Sequence, residues 1–405
     1  MKKMLLSAAA FAVVAVSAVA VAPTTSEAIP AFARQTGAAC LACHHLSFPA
    51  LNAFGRSFKQ GALTDVGEQA LVEDDHMSIT SSVNMTLVLR PNFVSSTTST
   101  TGGASTTTKT ATIPADAVLI FGGRVGTNTG TFVEYDGTFA NFKLSHAIDA
   151  GGGKVGVSIF NSGFGETYAL EGGSTFGQHG GLLGGKSISA SNQLSGNAGG
   201  TGGVGFYYGN ELVNASVSLI TGTAAAVGGV GNGWKLAPSA RVFVTPEVGG
   251  MEAGIGFGIT SGNTGNLQTT TALAAPGNTL AMKKWMIDGQ LQGEIGDIGI
   301  GVYADYANAA ASTATKLNLF NPALTADKGY SFRAHVKPTH TIVAMAGIGQ
   351  LKNGARKLAQ WTVGAEYEVY QNFVLALIYK NAKTTLVAGG SSTTKTTTID
   401  IEALL

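Results

Sequence analysis

The sequence has little of what most soluble enzymes depend on. It contains only two cysteines among 405 residues, so a framework of several disulfides is excluded. Charged residues make up 12% of the chain and the formal net charge is +1. No basic patch stands out, so a nucleic-acid partner is not expected. Beyond the N-terminus there is no run of about 18 apolar residues, so no transmembrane helix is predicted.

The N-terminus has the three parts of a secretory signal peptide. Lys2 and Lys3 supply the positive charge, and the stretch 5–22 is apolar. Small residues around Ser26 and Ala28 suit a signal peptidase. We therefore expect residues 1–28 to be removed and the exported chain to begin at Ile29.

The chain is rich in glycine, with 56 residues, and the mean hydropathy of all 405 residues is +0.21. From about Ser78 onward, apolar and polar residues alternate with a period of two. Trp285, Ile287 and Leu291, for example, alternate with Asp288 and other polar residues. This period is typical of strands with one apolar and one polar face. In an exported chain without membrane-spanning helices, it predicts an all-β, antiparallel outer-membrane barrel over residues 76–405.

The connections between the predicted strands also fit a barrel. We count about sixteen strands, provided that residues 329–349 divide at Pro338, which a central strand would not tolerate. Short turns such as 126–130 and 296–297 alternate with long stretches, as periplasmic turns alternate with outside loops. The six predicted long loops are 95–113, 172–202, 222–233, 261–281, 309–328 and 384–395.

Both cysteines belong to one motif, Cys40-Leu41-Ala42-Cys43-His44. The pattern C-x-x-C-H is the attachment site of c-type haem. It predicts two thioether bonds to one haem, with His44 as the proximal iron ligand. A redox dithiol would require a βαβ setting, and a zinc site would require a second pair of ligands nearby. No βαβ pattern follows the motif, and only His44 and His45 could supply the second pair of zinc ligands.

Residues 29–75 form a predicted cytochrome segment ahead of the barrel. A helix is expected over Pro49–Gln60, with Leu51, Phe54 and Phe58 on one side and Gly61 as its end. About thirty residues cannot build a hydrophobic core of their own. The haem or the barrel wall must therefore complete the packing of this segment.

Around the haem motif, the sequence resembles a known family. Residues 29–37 (IPAFARQTG), the motif itself and residues 48–59 (FPALNAFGRSFK) resemble the fused outer-membrane monohaem cytochrome c–porins of iron-oxidising bacteria. The resemblance implies a barrel of about sixteen strands with a short N-terminal α-helical cytochrome c plug. It also implies that one covalent haem c oxidises extracellular Fe(II) and passes the electron to a periplasmic cytochrome c. Cys40, Cys43 and His44 match the motif directly, and no catalytic residue beyond the haem is implied.

Other residues are candidates for holding the haem. His76 is the first choice for the distal iron ligand, and Met77 and His335 are the alternatives. Arg34, Arg56 and Lys59 are candidates for pairing with the haem propionates, although solvation at the surface would equally explain them.

Two other functions remain open at this stage. One is an outer-membrane porin or channel whose haem is structural, and the other is an outward conduit that reduces external acceptors. The direction of electron flow depends on the haem potential, which the sequence does not give. The six predicted loops contain one carboxylate, Asp327. Loops that are solvated by Thr, Ser and Gly have no carboxylate charge to lose at pH 2, so we expect an acidophilic source.

Overall fold

From Met85 to the C-terminus the chain forms one closed antiparallel β-barrel. The computed structural model describes residues 30–47, 50–67, 69–75, 77–135, 137, 139–161, 188–194, 201–221, 235–265 and 279–405. The barrel contains sixteen long strands, as the sequence predicts, and a two-residue strand, β11, that pairs only with β12. The strands are β3 (Met85–Thr100), β4 (Thr106–Gly126), β5 (Thr129–Tyr135), β6 (Phe139–Ala150), β7 (Gly153–Asn161), β8 (Gly202–Gly209), β9 (Val213–Thr221), β10 (Ala237–Val244), β11 (Glu247–Val248), β12 (Met251–Gly265), β13 (Thr279–Ile295), β14 (Ile298–Ala309), β15 (Asp327–Thr339), β16 (Ile342–Lys352), β17 (Arg356–Tyr370), β18 (Phe373–Leu386) and β19 (Ser391–Leu404).

The remaining described elements are short. A separate hairpin joins β1 (Leu71–Glu73) to β2 (Ser78–Thr80), so it crosses the predicted boundary at residue 76. The helices are α1 (Pro30–Thr36), α2 (Cys40–Cys43), α3 (Ala53–Gln60) and α4 (Ala190–Gln193). In the described part of the chain, no helix has the length and apolar character to span a membrane.

The two faces of the strands have the predicted character. On β13, the side chains of Lys284, Asp288 and Gln290 are buried, so they point into the barrel. Ile287 between them points outward and is 48% exposed. An outward apolar face of this kind is a surface for lipid, while the polar face lines the lumen. Other large apolar side chains on the outward face are Phe257, Ile348, Trp361, Val363, Leu377 and Ile399.

The short connections lie where the sequence predicts them. Turns at 127–128, 151–152, 296–297 and 371–372 join their strands at one end of the barrel, hereafter the short-turn end. Pro338 lies next to the last residue of β15, so the division of residues 329–349 is confirmed.

Two of the predicted long loops are wrong, because most of 95–113 and 384–395 is strand. Thr-rich sequences favour strands when their β-branched side chains pair across a hairpin. The hydroxyl of Thr97 lies 2.9 Å from that of Thr107, and that of Thr98 lies 3.1 Å from that of Thr394. Of the other four loops, 222–233 and most of 172–202 and 261–281 lie outside the described residues.

Two described segments fold into the lumen in the half far from the short turns. Asp305 anchors residues 188–194, because its carboxylate accepts hydrogen bonds from the Ser189 hydroxyl at 2.9 Å and the Ser191 amide at 2.7 Å. Leu319 and Phe320 anchor the second segment, 310–326, and are almost fully buried. The apolar cluster that they join reaches from Phe160 on β7 to Leu351 on β16, on the opposite side of the barrel order.

The outward apolar face predicts the effect of a buried charge in lipid. Ile287→Arg should destabilise the barrel by about 2–4 kcal/mol if the site lies near mid-membrane. Leu386→Arg is the matched control, because Leu386 is also 48% exposed but ends β18 at the far rim. It should cost about 0–1 kcal/mol. Urea-dependent folding into lipid vesicles measures both. Equal losses would contradict an outward face that lies in lipid.

Candidate functional site

The segment that carries the C-x-x-C-H motif, residues 30–67, lies against the inner wall at the short-turn end. Phe32 contacts Phe132 of β5, with ring centroids 6.0 Å apart. The Tyr207 hydroxyl of β8 donates a hydrogen bond to the Gln60 carbonyl at 2.7 Å. Leu46 packs with Met345 of β16. The segment therefore contacts inward side chains from widely separated strands of the barrel.

Helix α2 consists of the motif cysteines and the two residues between them. Cys40 and Cys43 lie three residues apart on the helix, so both side chains are on one side of it. The amide of His44 donates to the Cys40 carbonyl at 2.9 Å, so the histidine directly follows the helix. Burial raises the pKa of the Cys43 thiol to about 11. A redox dithiol depends on a lowered thiol pKa, so this donor set fits two thioether bonds better than a redox pair.

Helix α3 begins four residues later than predicted, at Ala53. Asn52 is its N-cap, and the Asn52 side chain accepts a hydrogen bond from the Gly55 amide at 3.0 Å. The predicted end at Gly61 is confirmed. Gly55 is required where α3 passes α2, because a Cβ at this position would overlap the Cys43 carbonyl. The two helices are thereby held close together beside the motif.

The residues that follow the motif are seated on β14 and β15. The His45 Nε2 atom lies 2.9 Å from the Ile300 carbonyl, and burial lowers the pKa of His45. Lys337 Nζ donates to the Leu46 carbonyl at 3.2 Å and to Glu368 at 2.8 Å. A charged side chain of the wall thus fixes the chain two residues after His44.

The candidates for a distal iron ligand are not equally placed. His76 lies outside the described residues, and Met77 is 38% exposed beside the β1–β2 hairpin. His335 is buried in the lumen, two positions along β15 from Lys337, with its ring 5.5 Å from that of Tyr303. Its Nε2 atom has no hydrogen-bond partner among the described residues. The structure therefore brings His335 close to segment 44–46.

Sequence reasoning missed Met345, which pairs directly with His335 across β15 and β16. Met345 is buried and contacts Leu46, so its thioether is a second candidate iron ligand on the same wall. No motif marks it, because a single Met in a strand resembles any other core residue. Only the register of the two strands reveals the pair.

The three basic residues predicted to meet the propionates have different surroundings. The Arg34 guanidinium donates to the Met85 carbonyl. Arg56 is 2% exposed and forms an ion pair with Glu252 of β12. Lys59 is half-buried in the last turn of α3. Arg34 and Arg56 therefore help to hold the segment in the barrel.

The carboxylates of the lumen do not gather into a cation site. In the described residues, no group of three or more His, Cys, Asp or Glu side chains is arranged to hold a metal ion. Glu368 accepts a hydrogen bond from Lys337, and Asp400 forms an ion pair with Arg90 at 3.1 Å. These acids are engaged with cationic side chains of the wall.

A cleft of about 440 Å³ opens beside α3 at the short-turn end. One side is formed by Ala53, Ser57 and Gln60 of the helix, and the other by residues 149–154 and 209–211 of two barrel turns. A partner protein at this end would therefore meet α3 directly.

No protein-family model matches the sequence, and no curated protein matches it. Among solved structures, the chain is similar to an anion-selective porin from Comamonas acidovorans, with 12% identity, 80% of this chain and 99% of that chain covered, and a TM-score of 0.48. It is similar to the outer-membrane channel DcaP of Acinetobacter baumannii, with 12% identity, 80% and 97% covered, and a TM-score of 0.48. It is also similar to OccK3 of Pseudomonas aeruginosa, with 10% identity, 87% and 99% covered, and a TM-score of 0.43.

The Arg56–Glu252 pair predicts how the segment is retained. Glu252→Gln leaves the buried Arg56 guanidinium without its charged partner. The packing of residues 30–67 against the barrel should then be less stable by about 1–3 kcal/mol. Limited proteolysis should then cut residues 30–67 faster. Glu247→Gln is the matched control, because Glu247 is exposed and is the register partner of Glu252 on β11. Equal protection of both variants would show that the ion pair does not hold the segment.

Proposed function

We propose that this protein is an outer-membrane electron-transfer protein with one covalent haem c at the short-turn end of its barrel. Extracellular Fe(II) donates the electron, and a periplasmic cytochrome c accepts it. One observation carries the proposal: the segment with the only C-x-x-C-H motif is seated inside a closed barrel with an outward apolar face. The resemblance of residues 29–61 to the cytochrome–porins supplies the direction of transfer.

The residues present fit the cofactor. Cys40 and Cys43 would hold the haem through thioether bonds, and His44 would be the proximal iron ligand. When bound, the haem supplies a one-electron couple that needs no acid or base from the protein. His335 would be a second iron ligand, with Met345 as the competing donor on the same wall. His76, which lies outside the described residues, stays a candidate for the same role. A histidine in place of methionine would hold the potential lower.

The lumen offers hydrated Fe²⁺ a polar way in. The described segments that fold inward lie mainly against β7, β9, β10 and β13 to β16. The inner face of β3 and β19 instead carries hydroxyls, including Ser96 and Thr396, whose oxygens are 3.3 Å apart. Water and hydroxyl oxygens suit a hard cation. We therefore assign the approach of Fe(II) to the half of the lumen lined by β17–β19, β3 and β4.

The cleft beside α3 supports the proposed transfer of the electron from the haem to a periplasmic cytochrome. A single haem cannot bridge an apolar band about 25 Å tall, so its acceptor must approach closely from the periplasm. The cleft exposes α3, which follows the haem motif, at the end where porins have periplasmic turns. A periplasmic cytochrome that docks there would be close to the motif.

A channel is the second candidate function. The polar inward face and the sixteen-stranded barrel are also properties of porins, whose lumen conducts ions and small solutes. The seated segment 30–67 and the inward-folded segments 188–194 and 310–326 narrow this lumen from both ends. A channel would nevertheless conduct ions in a planar bilayer, and Fe(II) would leave its haem oxidised.

Haem attachment can be tested directly. In a host that matures c-type cytochromes, the wild-type protein should retain haem on denaturing gels. Cys40→Ala and Cys43→Ala should each weaken attachment, and His44→Ala should alter the iron spectrum. His335→Ala should change the spectrum and the potential while the haem stays bound. His340→Ala is the matched control, because His340 lies exposed in the turn after β15. Wild-type protein without covalent haem would overturn the proposal, and an unchanged His335→Ala spectrum would leave Met345 as the ligand to test.

Electron donation by Fe(II) is the second test. Anaerobic Fe(II) should convert the visible spectrum to the reduced form, and an added periplasmic cytochrome c should restore the oxidised form. Because we expect an acidophilic source, the barrel should remain folded and the reaction should proceed from pH 2 to 7. A spectrum that stays oxidised in excess Fe(II), together with ion conductance in bilayers, would favour the channel. Unfolding at pH 2–3 would contradict only the acidophilic source.

A further inference from the structure

A row of lysines follows the outward face of the barrel far from the short turns. Lys328, Lys352, Lys357, Lys383 and Lys395 lie on the five consecutive strands β15 to β19, and all five are exposed. On each strand, the lysine occupies one of the alternating positions whose side chains point outward. Lys328 pairs directly with Lys352, and Lys352 pairs directly with Lys357.

This arrangement is unfavourable without a counter-charge. Like charges directly opposite each other on neighbouring strands destabilise a sheet, since their Cβ atoms are about 5 Å apart. None of the five lysines forms an ion pair with a carboxylate of the described residues. The carboxylates of β15–β19, including Asp327, Glu366 and Asp400, have inward parity and are buried. The row therefore presents only positive charge to its surroundings.

From β17 to β19 the lysines are displaced along the strands, toward the short turns, as the tilt of strands in a barrel requires. Thr385 is the register partner of Lys357, and Lys383 lies two residues nearer the short turns. Lys395 is displaced by two residues in the same direction from Thr393, the partner of Lys383. Tilted strands need such steps to keep side chains at one height on a barrel. The lysines thus form one band.

Apolar and aromatic side chains lie next to this band on the short-turn side. Phe332 of β15, Ile348 of β16 and Trp361 of β17 are register partners, and each is between 42% and 52% exposed. Trp361 also contacts Tyr379 of β18, with ring centroids 5.3 Å apart. Aromatic side chains mark the level of the lipid headgroups in membrane barrels.

The length of β16 gives the height of the lysines in the membrane. This strand has 11 residues, and Lys352 is its last. A membrane-spanning strand needs about 9–11 residues, so the ammonium groups lie at the headgroup level, away from the short turns. A molecule with both anionic headgroup charges and acyl chains would satisfy the lysines and cover the apolar strip together.

We propose that the outward face of β15–β19 is a binding site for a phosphorylated glycolipid of the outer leaflet. Its phosphates would lie across Lys328, Lys352 and Lys357, and its acyl chains would lie along Phe332 and Ile348. Lysine binds phosphate as a point charge, and several lysines in a row favour a headgroup with more than one phosphate. The site requires only a barrel in the membrane, and it is independent of the haem and of Fe(II).

The test uses the full-length protein in detergent and three probes. These are a bis-phosphorylated glycolipid, the same glycolipid after enzymatic dephosphorylation, and inorganic phosphate. Binding is measured as retained lipid by native mass spectrometry and as a shift of the unfolding temperature. The variant is K328Q/K352Q/K357Q, and K154Q/K235Q/K316Q is the control with the same change of net charge outside the row. K328R/K352R/K357R keeps the charges if the glutamine variant does not fold.

We expect the wild type, the scattered control and the arginine variant to retain the bis-phosphorylated glycolipid. The glutamine variant should bind it roughly 100-fold more weakly, because each lysine near a headgroup contributes roughly a fivefold factor. Equal binding by the glutamine variant and the wild type would overturn the proposal. So would equal retention of the dephosphorylated lipid, or binding of inorganic phosphate alone with the full temperature shift.

Discussion

Closure of the hydrogen-bonded ring is the constraint on which the rest of this structure depends. Strand β19 pairs with β3, where Leu404 is the partner of Val88, so none of the sixteen long strands that the structure describes has a free edge. In lipid, every backbone N–H and C=O needs such a partner, since no water can replace it. Closure also fixes which alternate residues of each strand point outward. Apolar side chains occupy these outward positions, and polar side chains occupy the inward ones. A sixteen-stranded barrel leaves a wide lumen, and much of the chain's remaining sequence is used to fill it.

The filling explains much of the glycine content of the wall. Gly122 faces Phe32, Gly209 faces Gln60 and Gly299 faces Leu46, and a Cβ at each position would overlap the opposing side chain. Small residues therefore lie where residues 30–67 pack against the wall. Buried charged pairs such as Lys337–Glu368 fix the position of these residues. Buried ion pairs contribute little net stability, but they penalise alternative arrangements strongly. The wall is thus shaped for one particular segment.

The alternation of side chains was sufficient to predict the barrel, its strand number and the division at Pro338, because a period of two is a local signal. The Thr-rich stretches around residues 95–113 and 384–395 were wrongly predicted as loops. Threonine serves loops and hairpins equally well, and only pairing with a neighbouring strand distinguishes them. The start of α3 was missed because Asn52, rather than Pro49, caps the helix. His335, Met345 and Leu46 are brought together by the register between β15 and β16 and by the packing of residues 30–67 inside the barrel. Neither of these leaves a local pattern in the sequence.

The electron transfer that we propose places different demands on the lumen than free diffusion does. A porin gains from a continuous water-filled path, whereas a cytochrome in a membrane must bring its donor close and keep the two compartments separate. Here the apolar cluster around Phe320 occupies the part of the lumen beside β13 and β14, and hydroxyls line the part beside β3 and β19. The hydroxyl lining carries no titratable charge, so proton concentration does not alter its attraction for a cation. Beneath it, residues 30–67 contact β5, β8, β12 and β14 to β16 at the short-turn end. An ion that entered from the far end would therefore meet the haem motif before it met the periplasm.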